Sequence, residues 1–367
     1  MDAEGGRGPG QPTIKVLGVG GAGCNAISRM FKERLAMIQY YGINTDAQHL
    51  FRCDISNRVP IGQDMTKGLG AGANPDLGRQ AAEESREEIA EAVAGADMVF
   101  VAVGMGGGTG TGAAPVVAQL AKEAGALTVA VVSRPFDFES AVRRKNADEG
   151  IESLKDHVDT LIVIPNDRLL EMDRSKEQTY SWEDALRLAD SVLQQGIQAI
   201  AEVVTIPGEI NIDFADVKTI LGGAGQSWLA IGKGKGETRA KDAAKQATKS
   251  PLLDINIEGA KRILFVITGG NTLSLKEVQE AADVVHELAD PEANVIFGTS
   301  RDAKMDDEVK VTMVAASFPM AQDDMVQRDE DLRKLLRDAT PEDSDDLDIP
   351  SFLRRQPAQR GRGGLLR

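Results

Sequence analysis

Apolar positions along this chain fall into short runs separated by amphipathic stretches. Thr13–Val19 and Asp97–Val103 (DMVFVAV) are largely apolar runs of strand length, and each runs into a glycine cluster. Such runs read as strands buried on both faces. Between and after them the pattern predicts a helix over 25–34, a short strand over 40–44 and a charged helix over 79–94. The last carries Glu and Arg three or four residues apart. A helix over 115–124 and strands over 127–132 and 160–164 follow. Alternating strands and helices predict a parallel, Rossmann-like α/β sheet covered on both faces, with ligands at the carboxyl ends of the strands. Residues 184–204 read as one long helix, stopped by Pro207 and Gly208. Strands then return at 263–268, 294–298 and 309–315, with helices at 241–248 and 274–289. The expectation is a second, smaller α/β domain joined to the first by a long central helix. The predicted boundaries are an arm at 1–12, the first domain at 13–183, the central helix at 184–205, and a loop with its following helix at 206–226. The second domain takes 227–318.

Beyond residue 318 the composition shifts. Residues 319–346 are acidic and poor in β-branched side chains, which predicts a disordered linker. By flexible-chain scaling it would reach about 30 Å. A compact apolar motif, LDIPSFLRR, and a basic Gly/Arg tail complete the segment 347–367.

Composition narrows the function classes. Hydrophobic residues make up 42% and aromatics only 4%, so the core must be built from Val, Ile, Leu, Ala and Met. A formal net charge of −15 disfavours non-specific binding to nucleic acid or to an anionic membrane. Cys24 and Cys53 are the only cysteines; Cys24 lies inside a glycine loop and reads as a small packed thiol in a reducing compartment. Three scattered histidines, His49, His157 and His286, suggest no zinc site. The first twelve residues lack the apolar stretch of a signal peptide. No run of eighteen apolar residues is present, so no membrane insertion is expected.

The glycine clusters carry the candidate chemistry. Gly18 to Gly23 fits G-x-G-x-x-G between a strand and a helix, where backbone N–H groups and the helix dipole favour phosphate. Asp46 follows near the spacing at which dinucleotide folds hold a ribose. The first fifty residues alone therefore fit a dehydrogenase, or a bare βα turn. The second loop, Gly104 to Gly112, decides against the dehydrogenase, because a dinucleotide needs one such loop whereas a triphosphate can use two. Here Gly106, Gly107, Gly108 and Gly110 let the backbone approach phosphate, and Thr109 and Thr111 offer hydroxyls. A third stretch, Gly68 to Asn74, including Gly72, could cover the γ-phosphate. No G-x-x-x-x-G-K-[ST] occurs, so the chain is not a P-loop NTPase.

Gly106 to Gly112 reads GGGTGTG, the signature of the tubulin and FtsZ superfamily. INTDAQHL at 43–50, GLGAGANPDLG at 68–78, RPFDFE at 134–139, IVIPNDRLL at 162–170, INIDFADVKTIL at 210–221, SPLLD at 250–254 and DIPSFLRR at 348–355 resemble FtsZ rather than tubulin. The resemblance covers nearly all of 13–318 and resumes at the tail. It implies an assembly-dependent GTPase that polymerises head to tail and forms the cytokinetic ring on the inner face of the cell membrane. It also implies GTP or GDP with Mg²⁺ as ligands.

By the same resemblance, Gly20, Gly21, Ala22 and Gly23 would touch the phosphates and Asn25 the guanine. Gly72, Gly107, Gly108, Thr109 and Gly110 would hold the β- and γ-phosphates. Glu139 and Arg143 would contact the ribose, and Asn166 and Asp190 the base. One carboxylate at Asp190 can accept both adjacent donors of guanine, N1–H and the 2-amino group, which adenine lacks. On local grounds alone Asp190 reads as a polar-face helix residue. Asp213 likewise reads locally as a helix cap with Asp216 three residues on. The resemblance instead makes Asp213 and Asp216 catalytic, with Asn211 supporting, in a loop that enters the next subunit's site. In the tail, Asp348, Ile349, Pro350, Phe352 and Leu353 would anchor on membrane tethers and division regulators. Three positions depart from the family pattern: Leu186 where a guanine-stacking Phe is usual, Ser140 in place of Gly, and Glu209 in place of an apolar residue. The rival reading within the family is a scaffold that binds nucleotide without hydrolysing it.

Overall fold

Alternate residues of the inner strands serve opposite faces of one sheet. In the first strand Ile14 and Val16 join one buried cluster and Leu17 and Val19 another. In the DMVFVAV strand Met98, Phe100 and Ala102 face the first cluster, and Val99, Val101 and Val103 the second. Both clusters are covered by helices, which is why the runs are apolar but for Lys15, whose ammonium donates to the Ala92 and Ala94 carbonyls. Truncating a fully buried side chain such as Phe100 to Ala would cost about 3–5 kcal/mol.

The computed structural model describes residues 11–33, 37–172, 181–205, 212–250, 260–302 and 305–317. In chain order these form β1 (Ile14–Val19), α1 (Gly20–Glu33), β2 (Ile38–Asn44), α2 (Ala47–Arg52), β3 (Asn57–Pro60), α3 (Gln63–Thr66), α4 (Pro75–Glu84), α5 (Arg86–Val93), β4 (Met98–Gly104), α6 (Thr109–Glu123), β5 (Leu127–Arg134), α7 (Ala141–Lys155), β6 (Thr160–Pro165) and α8 (Asn166–Met172). The central helix α9 (Trp182–Thr205) leads to α10 (Phe214–Leu221), β7 (Gly225–Lys235), α11 (Arg239–Thr248), β8 (Arg262–Gly269), α12 (Leu275–His286), β9 (Asn294–Arg301) and β10 (Glu308–Ala316). Asn211, the stop at Pro207–Gly208, Glu209, the linker 319–346 and the tail residues Asp348, Ile349, Pro350, Phe352 and Leu353 lie outside the described residues.

The strands form one sheet in the order β3-β2-β1-β4-β5-β6-β7-β10-β8-β9. Its first six follow the doubly wound order, with a switch point between β1 and β4, where ligands bind beyond the carboxyl ends. β10 is antiparallel to both its neighbours. Between β6 and β7 the register runs only from Thr160↔Gly225 to Ile162↔Ser227. On one face α1, α9 and α10 cover the sheet, and on the other α4 to α7 do; α11 and α12 cover the β8–β10 end.

The expected elements are present with three differences. The helix expected over 79–94 is two helices, because Ser85 leaves the helical path and its hydroxyl accepts the Gly62 N–H at 3.1 Å. Helix α6 begins at Thr109 rather than 115 and carries Pro115 inside it. The pattern predicts none of α2, β3, α3, α7, α8 or β7: α2, β3, α3 and α8 are short, α7 buries only Ala147, Gly150, Ile151 and Leu154, and β7 is broken up by glycines.

Candidate functional site

Two helices start at the switch point, α1 directly after β1 and α6 after the loop that follows β4. β1 ends at Val19 and α1 begins at Gly20. Gly20 has φ +73°, and a Cβ there would stand 2.8 Å from the Gly110 nitrogen at the start of α6. Both the backbone conformation and the close approach exclude a side chain. Gly23 lies flush on β4, where a Cβ would come within 2.2 Å of the Ala102 carbonyl oxygen. The first-turn N–H groups of a helix have no partner within it. Here two such sets, around Gly20–Gly23 and around Thr109–Gly110, converge on one point.

The second loop is fixed from both sides, and this revises two sequence readings. Thr111 is buried, and its hydroxyl accepts the Gly106 N–H at 2.9 Å, so it staples the loop rather than facing outward. The Gly108 N–H is taken by the Gly72 carbonyl at 2.9 Å. The third loop is in turn tied to α7 by Asn146, which donates to the Ala73 carbonyl. Thr109 is buried with its hydroxyl 2.6 Å from that of Thr45, a residue that sequence reasoning missed. Gly107 has open space on its side-chain side. The first-turn amides of α6 and the rim at Gly107 remain available to an anion.

Next to the phosphate loops stand the residues expected at sugar and base. Glu139 accepts the Phe136 N–H at 3.0 Å and pairs with Arg143 one helical turn on. The Arg143 carbonyl packs against Gly106, which brings α7 to the second loop. Ser140 is the N-cap of α7 and accepts the Arg143 N–H at 3.2 Å, so this departure supplies a cap that glycine lacks. Asn166 opens α8; it is buried, and its Oδ1 has no hydrogen-bond partner among the described residues. A buried orphan acceptor is costly unless a ligand completes it. Asp190, in the third turn of α9, is ion-paired with Arg29 of α1 at 3.0 Å. Burial pushes its carboxyl up to about 6, against the opposing pull of Arg29. Asn25 Oδ1 meets His49 Nε2 at 3.1 Å, and the other ring nitrogen meets Asn44. Leu186 is partly exposed one turn before Asp190.

Arg29 was also missed. The available signal was its spacing, four residues after Asn25 and therefore on the same face of α1. Asp46, a ribose candidate under the dehydrogenase reading, is instead the N-cap of α2 and accepts the His49 N–H. Cys24 and Cys53 are free and buried, Cys24 with its Sγ 3.3 Å from the Gly18 carbonyl.

The structure does not bring Asp213 and Asp216 to these loops. Both are exposed on or before α10, which hands over to β7 at the amino end of the sheet. There Thr160, the first residue of β6, donates to the Leu221 carbonyl, and Gly225 N–H bonds to Asp159. The glycine loops lie at the carboxyl ends. Asp213 occupies the N-cap position of α10, yet its side chain makes no capping hydrogen bond. The reading of Asp213 as a cap therefore holds for its backbone only. Donors at the phosphate loops are neutral amides and hydroxyls. Among the described residues no three acidic, histidine or cysteine side chains gather to hold a metal.

A doubly wound sheet with two glycine-rich helix starts at its switch point defines a nucleotide-binding protein. Residues 13–174 match the tubulin/FtsZ family GTPase domain, and residues 225–319 match the FtsZ family C-terminal domain. The class is thus a tubulin-type GTPase. A solved structure of the empty FtsZ dimer of M. jannaschii is 44% identical, with a TM-score of 0.81, over 84% of this chain and 88% of that one. GDP-bound CetZ1 of Haloferax volcanii shares the fold at 24% identity and a TM-score of 0.71, over 89% of this chain and 99% of that one. The chain belongs to the FtsZ family, the filament-forming GTPases of cell division.

Proposed function

We propose that the chain binds GTP across the N-termini of α1 and α6 and hydrolyses it at a head-to-tail joint between subunits. The observation that carries this reading is the close approach of Gly20 to Gly110, which brings together the first turns of α1 and α6, whose N–H groups have no partner within their helices. Such donors stabilise the charge of a triphosphate without a lysine. The unpartnered acceptor of Asn166 and the buried carboxylate of Asp190 match the donor edge of guanine. Glu139 and Arg143 take the ribose, and Asn25 the outer edge of the base.

Catalysis then needs a group to position the attacking water. We assign it to Asp213 and Asp216 of the neighbouring subunit, with Asn211 beside them. Two features support this: both carboxylates are exposed, and Asp213 is uncommitted as a cap. Charge developing on the phosphates would be neutralised by Mg²⁺ held through phosphate oxygens and water. Residues 13–183 would form the nucleotide half of the joint, and 206–226 with 227–318 the opposing half. Leu69, Phe138 and Val142 surround the glycine loops and are 84%, 53% and 64% exposed, apolar surface that a second subunit could cover. The M. jannaschii relative was solved as a dimer. Because such an interface is heterologous, repetition gives an open filament. The filament would assemble as the midcell ring in the cytoplasm, tethered through Asp348, Ile349, Pro350, Phe352 and Leu353 to membrane-bound partners.

The shared site is tested by mixing two inactive variants. Asp213→Ala should bind GTP and assemble but hydrolyse poorly, and Thr109→Arg should block the phosphate pocket while keeping the Asp213 loop. Mixed, they can form joints that pair an intact pocket with an intact loop. Phosphate release should recover in part and rise with total concentration. A mixture that co-sediments yet stays inactive returns Asp213 to a structural role.

A further inference from the structure

We propose that Arg29 is a specificity-determining positioning residue, whose guanidinium fixes the charge and orientation of the Asp190 carboxylate and so decides which purine the site accepts. The inference rests on the reading of Asp190 as the base-contacting acid. Arg29 reaches from α1 to α9 with two bonds. One terminal nitrogen meets Asp190 Oδ2 at 3.0 Å, and the other donates to the Arg187 carbonyl at 3.0 Å. The second bond anchors the guanidinium to the backbone of the helix that carries Asp190. The carboxylate is therefore held at one oxygen, leaving the other oxygen and the spare lone pairs for a ligand. Its side chain is only 13% exposed, so water contributes little to keeping it ionised.

Other charges on the neighbouring elements are engaged elsewhere. On α9 Arg187 pairs with Glu183, and on α1 Lys32 pairs with Asp54. On β5 Arg134 pairs with Asp148, and on α8 Asp167 accepts the Asp137 N–H beside Arg168. β9 ends in Arg301. Across a cleft from Ser191 and Gln194 stand Lys233, Asp302, Glu308 and Lys310. Burial and Arg29 are the two influences that set the ionisation of Asp190, burial being the larger.

The chemistry turns on donors and acceptors. An ionised carboxylate offers two acceptors, which match guanine N1–H and the 2-amino group. A protonated carboxyl offers one donor and one acceptor, which match the N1 acceptor and 6-amino donor of adenine. The charge state of Asp190 is thus a purine selector. Arg29 holds it in the guanine state, because an adjacent cation favours the ionised form. Loss of that cation moves the titration upward from about 6, toward physiological pH.

The test measures GDP and ADP affinity of the full chain against pH for wild type, Arg29→Met, Arg29→Lys and Asp190→Asn. Diphosphates separate base recognition from hydrolysis. With a carboxyl titrating at about 6, wild-type GDP affinity should fall about twofold between pH 8 and pH 6. In Arg29→Met the same fall should be on the order of tenfold, accompanied by a gain in ADP affinity, since each unit of upward shift approaches a further factor of ten. Arg29→Lys should restore the wild-type profile. Asp190→Asn, which presents a donor and an acceptor at every pH, should show weak, pH-independent GDP binding, the limit that Arg29→Met approaches in acid. A purely structural role for Arg29 would lower affinity equally at all pH values, and parallel GDP profiles for Arg29→Met and wild type overturn the inference. Retained guanine preference in Asp190→Asn overturns the base-reading assignment itself, and the inference with it.

Discussion

Adjacent glycines of the second loop should respond to the same substitution in opposite ways. A Cβ at Gly108 would meet three carbonyl oxygens of the third loop, those of Gly72, Ala71 and Asn74, at 2.7, 2.8 and 2.9 Å. Ordinary carbon–oxygen contact requires about half an ångström more, and these oxygens are backbone, so the third loop must move bodily. It is also tied to Gly108 by the hydrogen bond to Gly72. Overpacking of this kind costs about 1–3 kcal/mol. In a domain of this size that lowers Tm by roughly 2–4 °C per kcal/mol. At Gly107 nothing lies within 4 Å of the added methyl, and the backbone needs no left-handed conformation. Gly107→Ala should leave Tm within about 1 °C of wild type, because an exposed substitution free of clashes usually changes stability by under about 0.5 kcal/mol. The open side of Gly107 is, however, where the phosphates are proposed to lie. Its GDP affinity should fall on the order of tenfold, since a methyl overpacked against the phosphates costs about 1–3 kcal/mol and about 1.4 kcal/mol is a factor of ten. Thermal unfolding of the nucleotide-free protein and titration with a fluorescent guanine nucleotide make the comparison. If Gly107→Ala binds GDP like wild type, the phosphates do not occupy the face of the loop assigned to them. If Gly108→Ala unfolds at the wild-type temperature, the third loop is not seated on the second as described.

Three further outcomes follow from other parts of the chain. Arg239 is buried with Glu277 at 2.7 Å and also donates to the carbonyls of Thr272 and Asp306, so Arg239→Met should destabilise by about 3–5 kcal/mol in chemical denaturation. Burial pushes Glu277 up, but its hydrogen bonds from Arg239 and Ser274 outweigh that and hold it below the usual carboxylate range. Its folded pKa lies below its unfolded one, so its stabilisation is present above the unfolded value and is lost as pH falls through the folded value; Glu277→Gln should flatten that acid limb of stability against pH. Deleting residues 348–367 should leave GTPase activity and sedimentation with GTP near wild type while abolishing recruitment to tether-bearing vesicles. Loss of sedimentation would place the tail within the assembly core.

Much of this protein is legible in its sequence because much of its information is local. The two-faced burial of β1 and β4 follows from apolar runs interrupted in β1 only by Lys15. The glycine turns follow from residues whose only advantage is conformational freedom or close approach. Where a local pattern pointed the wrong way, a distant partner was responsible. No strand is predicted at β7 because Gly232 and Gly234 interrupt the pattern, yet a Cβ at either would come within 2.0 Å of a carbonyl of α11. Those glycines exist to let a helix lie directly on the strand. Thr111 reads as a phosphate donor until it is seen to be buried beneath the loop, accepting the Gly106 N–H.

The sequence by itself determined the doubly wound architecture, the glycine loops and the family, each from residues adjacent in the chain. Only the tertiary structure decided how those pieces share work. It set Gly20 against Gly110, turned Gly108 toward Gly72, left Asn166 without a partner and put Arg29 on Asp190, 161 residues away. It also joined α10, the helix that Asp213 precedes, to β7 at the amino end of the sheet, whereas the glycine loops lie at the carboxyl ends. The physical reason is range. Propensity and periodicity act over a few residues, whereas the charge of a carboxylate and the direction of an amide are set by whichever groups packing brings alongside.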